Sequence, residues 1–370
     1  MPLQPPPELF SPTSGGMAIR RARRGRVLRL LLAFLAILVG LDFLVRRYAR
    51  DLHPWDSRGL EAKAWAFERT APETIVLTGS SRAACGFCPE EFAGILGRPV
   101  FNLGISATKP FEWKMLCRDY LKGRRPDLVV LGVNASEVSG VFQPAEAAAT
   151  LMTAKDVLRY TLDEEINPRV IGTYAQASFG RAWALFGHRY AIRLWVDEQL
   201  GRLHGGFGAE ARLWRKRNGL RDAPDGFDHP WLAGQSMRTL AQRLKDNPKS
   251  VNFFPGTFDE NNPSMRYFKE TLDELIAWKM PVVVAYIPNS PLAQSRWPGA
   301  EARGSAVLAR VCAERGVPYF DVRLEVTNDD FFDETHLALP AARRLSRAIA
   351  ERIRDLDAAN GPLLATGRQP

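Results

Sequence analysis

Histidine and cysteine are scarce in this chain: five His and four Cys (Cys85, Cys88, Cys117, Cys312) in 370 residues. Four cysteines are too few for the disulfide framework that staples a small secreted fold. Cys85-Gly-Phe-Cys88 has the spacing of a redox pair without the surrounding thioredoxin pattern, and two of the four ligands a structural zinc needs are missing nearby. In an oxidising compartment Cys85 and Cys88 could bridge; the alternative is a pair of buried thiols. A phosphate-binding glycine loop and a dinucleotide fingerprint are both lacking, so no cofactor and no metal is expected. Internal repeats are lacking too, and only one hydrophobic run is long.

Lysine is wholly missing from the first fifty residues, which nonetheless hold nine Arg. With Glu8 and Asp42 against them, residues 1–50 carry +7 of the chain's +9, which leaves +2 for the rest. A nucleic-acid binder would place its basic residues on the folded domain. Here they flank an apolar segment, so the charge reports membrane topology and no nucleic-acid partner is expected.

That segment runs 19 residues from Val27 to Val45, near the lower length that crosses a bilayer, with Arg29 and Asp42 toward its ends. Arg20, Arg21, Arg23, Arg24, Arg26 and Arg29 precede or open it, and only Arg46, Arg47 and Arg50 follow. The positive-inside bias therefore puts the amino terminus in the cytoplasm and residues 51–370 outside, with a single crossing. A cleaved signal peptide would need small residues at its end, whereas Leu44-Val-Arg-Arg-Tyr48 closes this run. The expected divisions are a disordered tail over 1–19, an uncleaved anchor over 20–50, an extracytoplasmic domain over 51–358 and a flexible tail over 359–370.

From residue 74 onward short apolar runs alternate with amphipathic stretches. Strands are expected at 74–78, 100–103, 127–131, 281–286 and 317–320. Helices are expected from Pro89, from Phe111 to Leu121, behind the Asn262 cap, from Glu301 to Arg315 and from Leu339 to Ile353. Such alternation implies an α/β fold, a parallel sheet covered on both faces by helices. Between 139 and 260 the rhythm breaks. Helical patches at Thr153–Leu162 and Phe179–Leu203, a loop-like stretch at 222–230, and aromatics including Trp183, Tyr190, Trp195, Trp214 and Trp231 suggest a helical cap over the active edge.

Three sharp turns follow three strands: Gly79-Ser-Ser-Arg82, Asn102-Leu-Gly104 and Gly132-Val-Asn134. In a parallel sheet these loops converge on one edge. Asp333-Glu-Thr-His336 lies just before the last helix, whereas His53, His188, His204 and His229 have no partner pattern. Arg82 could orient an anionic substrate or, the stronger reading, pair within the fold.

This set resembles the SGNH (GDSL-type) hydrolase superfamily, and more narrowly its membrane-anchored branch, similar to DltD and the alginate acetylation proteins AlgJ and AlgX. The resemblance covers residues 74–136 and 281–355. It implies a flavodoxin-like three-layer fold with Ser81, Asp333 and His336 as a catalytic triad. It also implies an oxyanion hole formed by the N–H groups of Ser81 and Gly104 and the amide of Asn134. Ser80 stands where the family has Asp, and a one-residue shift would make Ser80 the nucleophile instead. His336 would take the Ser proton, and Asp333 would hold the ring's other nitrogen. The implied activity is esterase or O-acyltransferase chemistry on acyl esters, acetyl first, of a glycan, with a membrane-bound O-acyltransferase as a partner. An inactive scaffold of the same fold, binding glycan or such a partner, is the alternative, and a lipase-like esterase a third reading.

Overall fold

A computed structural model describes residues 15–52, 60–71, 74–139, 151–163, 168–189 and 261–360, except 323, together with positions 192 and 196. The expected α/β architecture is present. Five strands, β1 (Ile75–Thr78), β2 (Val100–Asn102), β3 (Leu128–Val133), β4 (Val282–Tyr286) and β5 (Tyr319–Phe320), form one parallel sheet in the order β2-β1-β3-β4-β5. That order is the flavodoxin-like one. β1 to β4 are fully buried, as strands covered on both faces must be.

Alternate strand residues feed two cores. Val76, Val129, Leu131, Val282 and Val284 pack with Phe67 of α2 (Leu60–Phe67), Trp113 of α5 (Pro110–Leu116), Phe268 of α10 (Pro263–Ala277) and Leu308 of α12 (Ala300–Ala313). Their neighbours Ile75, Leu77, Leu128, Val130 and Val283 face the other way. They pack on Phe92 of α4 (Pro89–Leu96) and on Leu345, Ile349 and Ile353 of α13 (Leu339–Asn360). The period-two alternation of each strand thus sets a three-layer sandwich.

The elements sit within a few residues of their expected places, with some differences. The helix after β2 is α-helical only to Leu116 and continues as a π-helical turn, Cys117–Leu121. The expected helix at 179–203 is broken at Trp183, whose extended backbone separates α8 (Pro168–Ala182) from α9 (Ala184–Gly187). The patch at 153–162 is α7 (Ala154–Asp163). The rest of the expected cap, including Tyr190, Trp195, Trp214, Trp231 and the stretch 222–230, lies outside the described residues.

At the amino end, α1 (Gly15–Leu52) already includes the basic cluster and part of the stretch that composition reads as tail. Its Arg26–Tyr48 portion is long and apolar enough to cross a membrane, with mean hydropathy 2.5 over the best window and no residue of that window fully buried. At 1.5 Å per residue those 23 residues span about 33 Å, close to the hydrocarbon thickness of a bilayer.

Candidate active site

In sheets of this order, loops leaving the carboxyl ends of adjacent strands diverge where the strand sequence reverses and open a crevice. Here the reversal falls between β1 and β3. Gly79 ends β1 with φ +140°, and a Cβ there would lie 2.5 Å from the Gly132 carbonyl oxygen, so only glycine lets the turn press against β3. The chain then enters α3 (Ser81–Gly86).

The first two serines of this turn separate by role. Ser80 is the N-cap of α3: its Oγ accepts from the Arg82 N–H at 3.1 Å, and its hydroxyl donates to the Glu137 carboxylate. It is buried and committed. Ser81, half-buried at the first helical position, places Oγ 2.8 Å from His336 Nε2. His336 Nδ1 lies 2.7 Å from Asp333 Oδ2.

The loop carrying Asp333 and His336 is fixed at both ends. Phe331 and Leu337, both buried, form an antiparallel bridge, and the Ala338 N–H donates to the Asp330 carbonyl at 2.7 Å. Within the loop, Asp333 Oδ1 accepts from the N–H groups of Thr335 and His336, each at 2.8 Å, and from the Thr335 hydroxyl at 3.1 Å. Three-residue spacing therefore turns the carboxylate back onto the ring. Burial pushes the Asp333 pKa up, but the hydrogen bond and charge of His336 and the two backbone donors outweigh it and hold the carboxyl well below its usual range. Asp333 is thus an anion oriented to keep the Nδ1 proton, which leaves Nε2 to accept from Ser81.

The three expected oxyanion donors are placed differently from one another. The Ser81 N–H opens α3 and has no acceptor among the described residues. The Gly104 N–H donates to Asn102 Oδ1 at 2.9 Å, and its carbonyl accepts from buried Lys63 at 2.6 Å. What Gly104 supplies here is closeness: a Cβ would lie 2.6 Å from the Ala84 nitrogen, so β2's turn packs directly on α3. Asn134, fully buried, caps α6 (Ala135–Val138) and donates from Nδ2 to the Ile287 carbonyl at 2.6 Å. One of its two amide hydrogens is thereby used.

Residues that the sequence reading passed over complete the surroundings. Glu137, buried, accepts from Ser80, from the Asn134 N–H at 2.7 Å and from Arg82 at 3.2 Å. Arg82 also donates to Asn289 Oδ1 at 3.3 Å, and Asn289 donates to Asn134 Oδ1 at 3.2 Å. Arg82 therefore pairs within the fold. The spacing of Asn134 and Glu137, N-cap and third helical position, is a capping-box signal that could have singled out Glu137. Asn289 lies in the irregular segment between β4 and α11 (Pro291–Arg296) and carries no such signal.

Cys85 and Cys88 are buried thiols and form no disulfide, and burial pushes the Cys88 thiol up to about 12. Among the described residues no group of three or more His, Cys, Asp or Glu is arranged to hold a metal ion. A scan against protein-family models and a search of curated proteins give no match to this chain. The fold and site define an α/β protein with a Ser–His–Asp relay at the switch point of a flavodoxin-like sheet.

Proposed function

We propose that this protein is a membrane-anchored serine ester hydrolase or O-acyltransferase of SGNH type. Its working domain lies outside the cytoplasm, and it acts on acyl esters, acetyl first, of a glycan. The observation that carries the reading is the hydrogen-bonded chain from Ser81 Oγ through His336 to Asp333, at 2.8 and 2.7 Å. In the proposed cycle Ser81 attacks the ester carbonyl as His336 takes its proton. The tetrahedral intermediate collapses to an acyl-serine as His336 protonates the leaving alcohol. Water, or a second sugar hydroxyl, then takes the acyl group by the reverse steps. Exclusion of water decides between hydrolysis and transfer.

Two features support the setting. The arginines ahead of the apolar run within α1 outnumber those behind it, which favours an outward-facing domain. A pocket of about 370 Å³ at the carboxyl ends of β4 and β5, lined in part by Tyr286, Gln294, Glu301, Ser305, Asp321 and Glu325, offers polar groups to a polyhydroxylated acceptor. The acyl donor would come from a membrane-bound O-acyltransferase.

One observation favours a second reading. With the Gly104 N–H and one Asn134 amide hydrogen engaged, the oxyanion would meet fewer ready donors than the resemblance implies. A scaffold that binds glycan or a membrane partner without turnover would tolerate this. Fluorophosphonate labelling of the full-length protein separates the two. Labelling at Ser81, lost in Ser81→Ala and His336→Ala, supports the enzyme; a folded protein that does not label supports the scaffold.

A further inference from the structure

Asp42 is an acid inside the apolar run of α1, and the structure gives it a task. Its Oδ1 accepts from the Leu185 N–H at 2.9 Å, and its Oδ2 from Arg46 Nε at 2.8 Å. Arg46 in turn donates to the Arg181 carbonyl at 3.3 Å and to the Ala182 carbonyl. The acid thus serves the amide-rich start of α9 and the base the carbonyl-rich end of α8, each matched to the partial charge it meets. Leu38, Asp42 and Val45, spaced four and three apart, are the partly covered residues of an otherwise exposed run. The α8–α9 hairpin therefore rests along one face of the last turns of α1. From Asp42 to Tyr48 is about 9 Å of helix axis, so the hairpin lies where the apolar run gives way to polar sequence.

The hairpin reverses tightly because Gly180 and Gly187 touch: a Cβ on Gly187 would lie 2.6 Å from the Gly180 carbonyl oxygen. The reversal gathers Phe179, Trp183 and Phe186, with ring centroids 4.9 to 6.5 Å apart. Phe179 is 48% exposed and Trp183 36%, a large apolar surface to leave in water. Arg189 lies 4.1 Å over the Phe186 ring. Aromatic rings with a basic fringe, at the end of a membrane helix, are the composition of the bilayer interface.

We propose that the α8–α9 hairpin is a bilayer-interface wedge: Phe179, Trp183 and Phe186 sit at the headgroup–acyl boundary of the membrane that α1 crosses. The Asp42–Arg46 pair holds the wedge at that depth. This rests on the reading of α1 as membrane-spanning. The wedge ties the folded domain to one height and tilt above the bilayer, where a bare tether would let it roam.

The test uses the full-length chain in phosphatidylcholine–phosphatidylglycerol vesicles. Phe179→Cys, Trp183→Cys, Phe34→Cys and Arg354→Cys variants each carry an environment-sensitive fluorophore, and the parent protein corrects for its buried native thiols. Lipids bearing nitroxides at shallow and deep positions report depth. Labels at 179 and 183 are expected to emit to the blue and to be quenched by shallow nitroxides about threefold more than the label at 354. The label at 34 is expected to respond most to deep nitroxides. If 179 and 183 behave like 354 while 34 is quenched, the hairpin faces water or a protein partner and the wedge is wrong. If 34 is unquenched as well, the membrane-spanning reading fails, and the wedge with it.

Discussion

Replacing Asp333 by Asn tests the relay at one atom. Asp333 Oδ1 takes three donors, the Thr335 and His336 N–H groups at 2.8 Å and the Thr335 hydroxyl at 3.1 Å, and an Asn side-chain oxygen can keep all three. The loop should therefore hold its shape. What changes is Oδ2, 2.7 Å from His336 Nδ1, which becomes an NH₂ that can only donate. The ring must then accept at Nδ1 and carry its proton on Nε2, the atom 2.8 Å from Ser81 Oγ. Nε2 would donate to the serine instead of taking its proton. A wrong tautomer in such a relay costs about 10⁴ in rate, equivalent to about 5 kcal/mol of barrier. The assay is the second-order rate constant of fluorophosphonate labelling of the full-length protein in detergent, with Ser81→Ala and His336→Ala as floors. A melting curve alongside shows whether the fold is intact. A variant that melts normally and labels within about tenfold of wild type would refute the argument that Asp333 activates Ser81 through the tautomer. The substitution also removes a carboxyl whose folded pKa lies below its ordinary value of 3.8. Such a group stabilises the protein above that value, and the contribution fades as pH falls through the folded pKa. Asp333→Asn should lack this part of the acid-side loss.

Three further outcomes are expected. Glu137→Gln leaves Arg82, whose side chain is 11% exposed, without its counter-charge; a loss of about 3–5 kcal/mol is expected, read as a lowered melting temperature, and an unchanged melt would refute it. Gly104→Ala forces a methyl to 2.6 Å from the Ala84 nitrogen; it should cost about 1–3 kcal/mol and slow Ser81 labelling by displacing α3, whereas unchanged stability and labelling would show that the turn relaxes freely. Burial raises Glu301 from 4.5 to about 7, so its contribution to stability is full below 4.5 and fades as pH rises toward 7. With a ceiling of about 3 kcal/mol, Glu301→Gln should flatten the fall in melting temperature across that window, and an unaltered slope would count against the burial argument.

Much of the sheet was legible because its signals are local. β1, β3 and β4 are apolar runs bounded by turn residues, and a strand buried on both faces can scarcely read otherwise. Asn262 and Pro263 announced the start of α10 from adjacent positions. The helix at 111–121 was legible as a helix, but its π-helical turn was not, since the same apolar stripe serves either geometry.

The candidate site divides along the same line. Residue types mark a hydroxyl and an amide at the ends of strands and an Asp–His pair ahead of the last helix, and the three-residue spacing of Asp333 and His336 allows their contact. Ser81 and His336 are 255 positions apart, and only the parallel crossover of β1 and the approach of α13 bring them to 2.8 Å. The same packing assigned Ser80 to a helix cap and Ser81 to the histidine, a choice between neighbours that only backbone direction makes. It also committed the Gly104 N–H to Asn102 two residues away, because the Asn102 amide is anchored on the distant carbonyls of Ala83, Ala84 and Phe87, which aims its Oδ1 at Gly104. Asp42 is the clearest case: within the sequence it is a charge interrupting an apolar run, and its reason, the Leu185 amide, lies 143 residues away. Periodicity and turn chemistry act within a few residues and were determined by the sequence alone; partners of buried polar groups are chosen by long-range packing and belong to the tertiary structure.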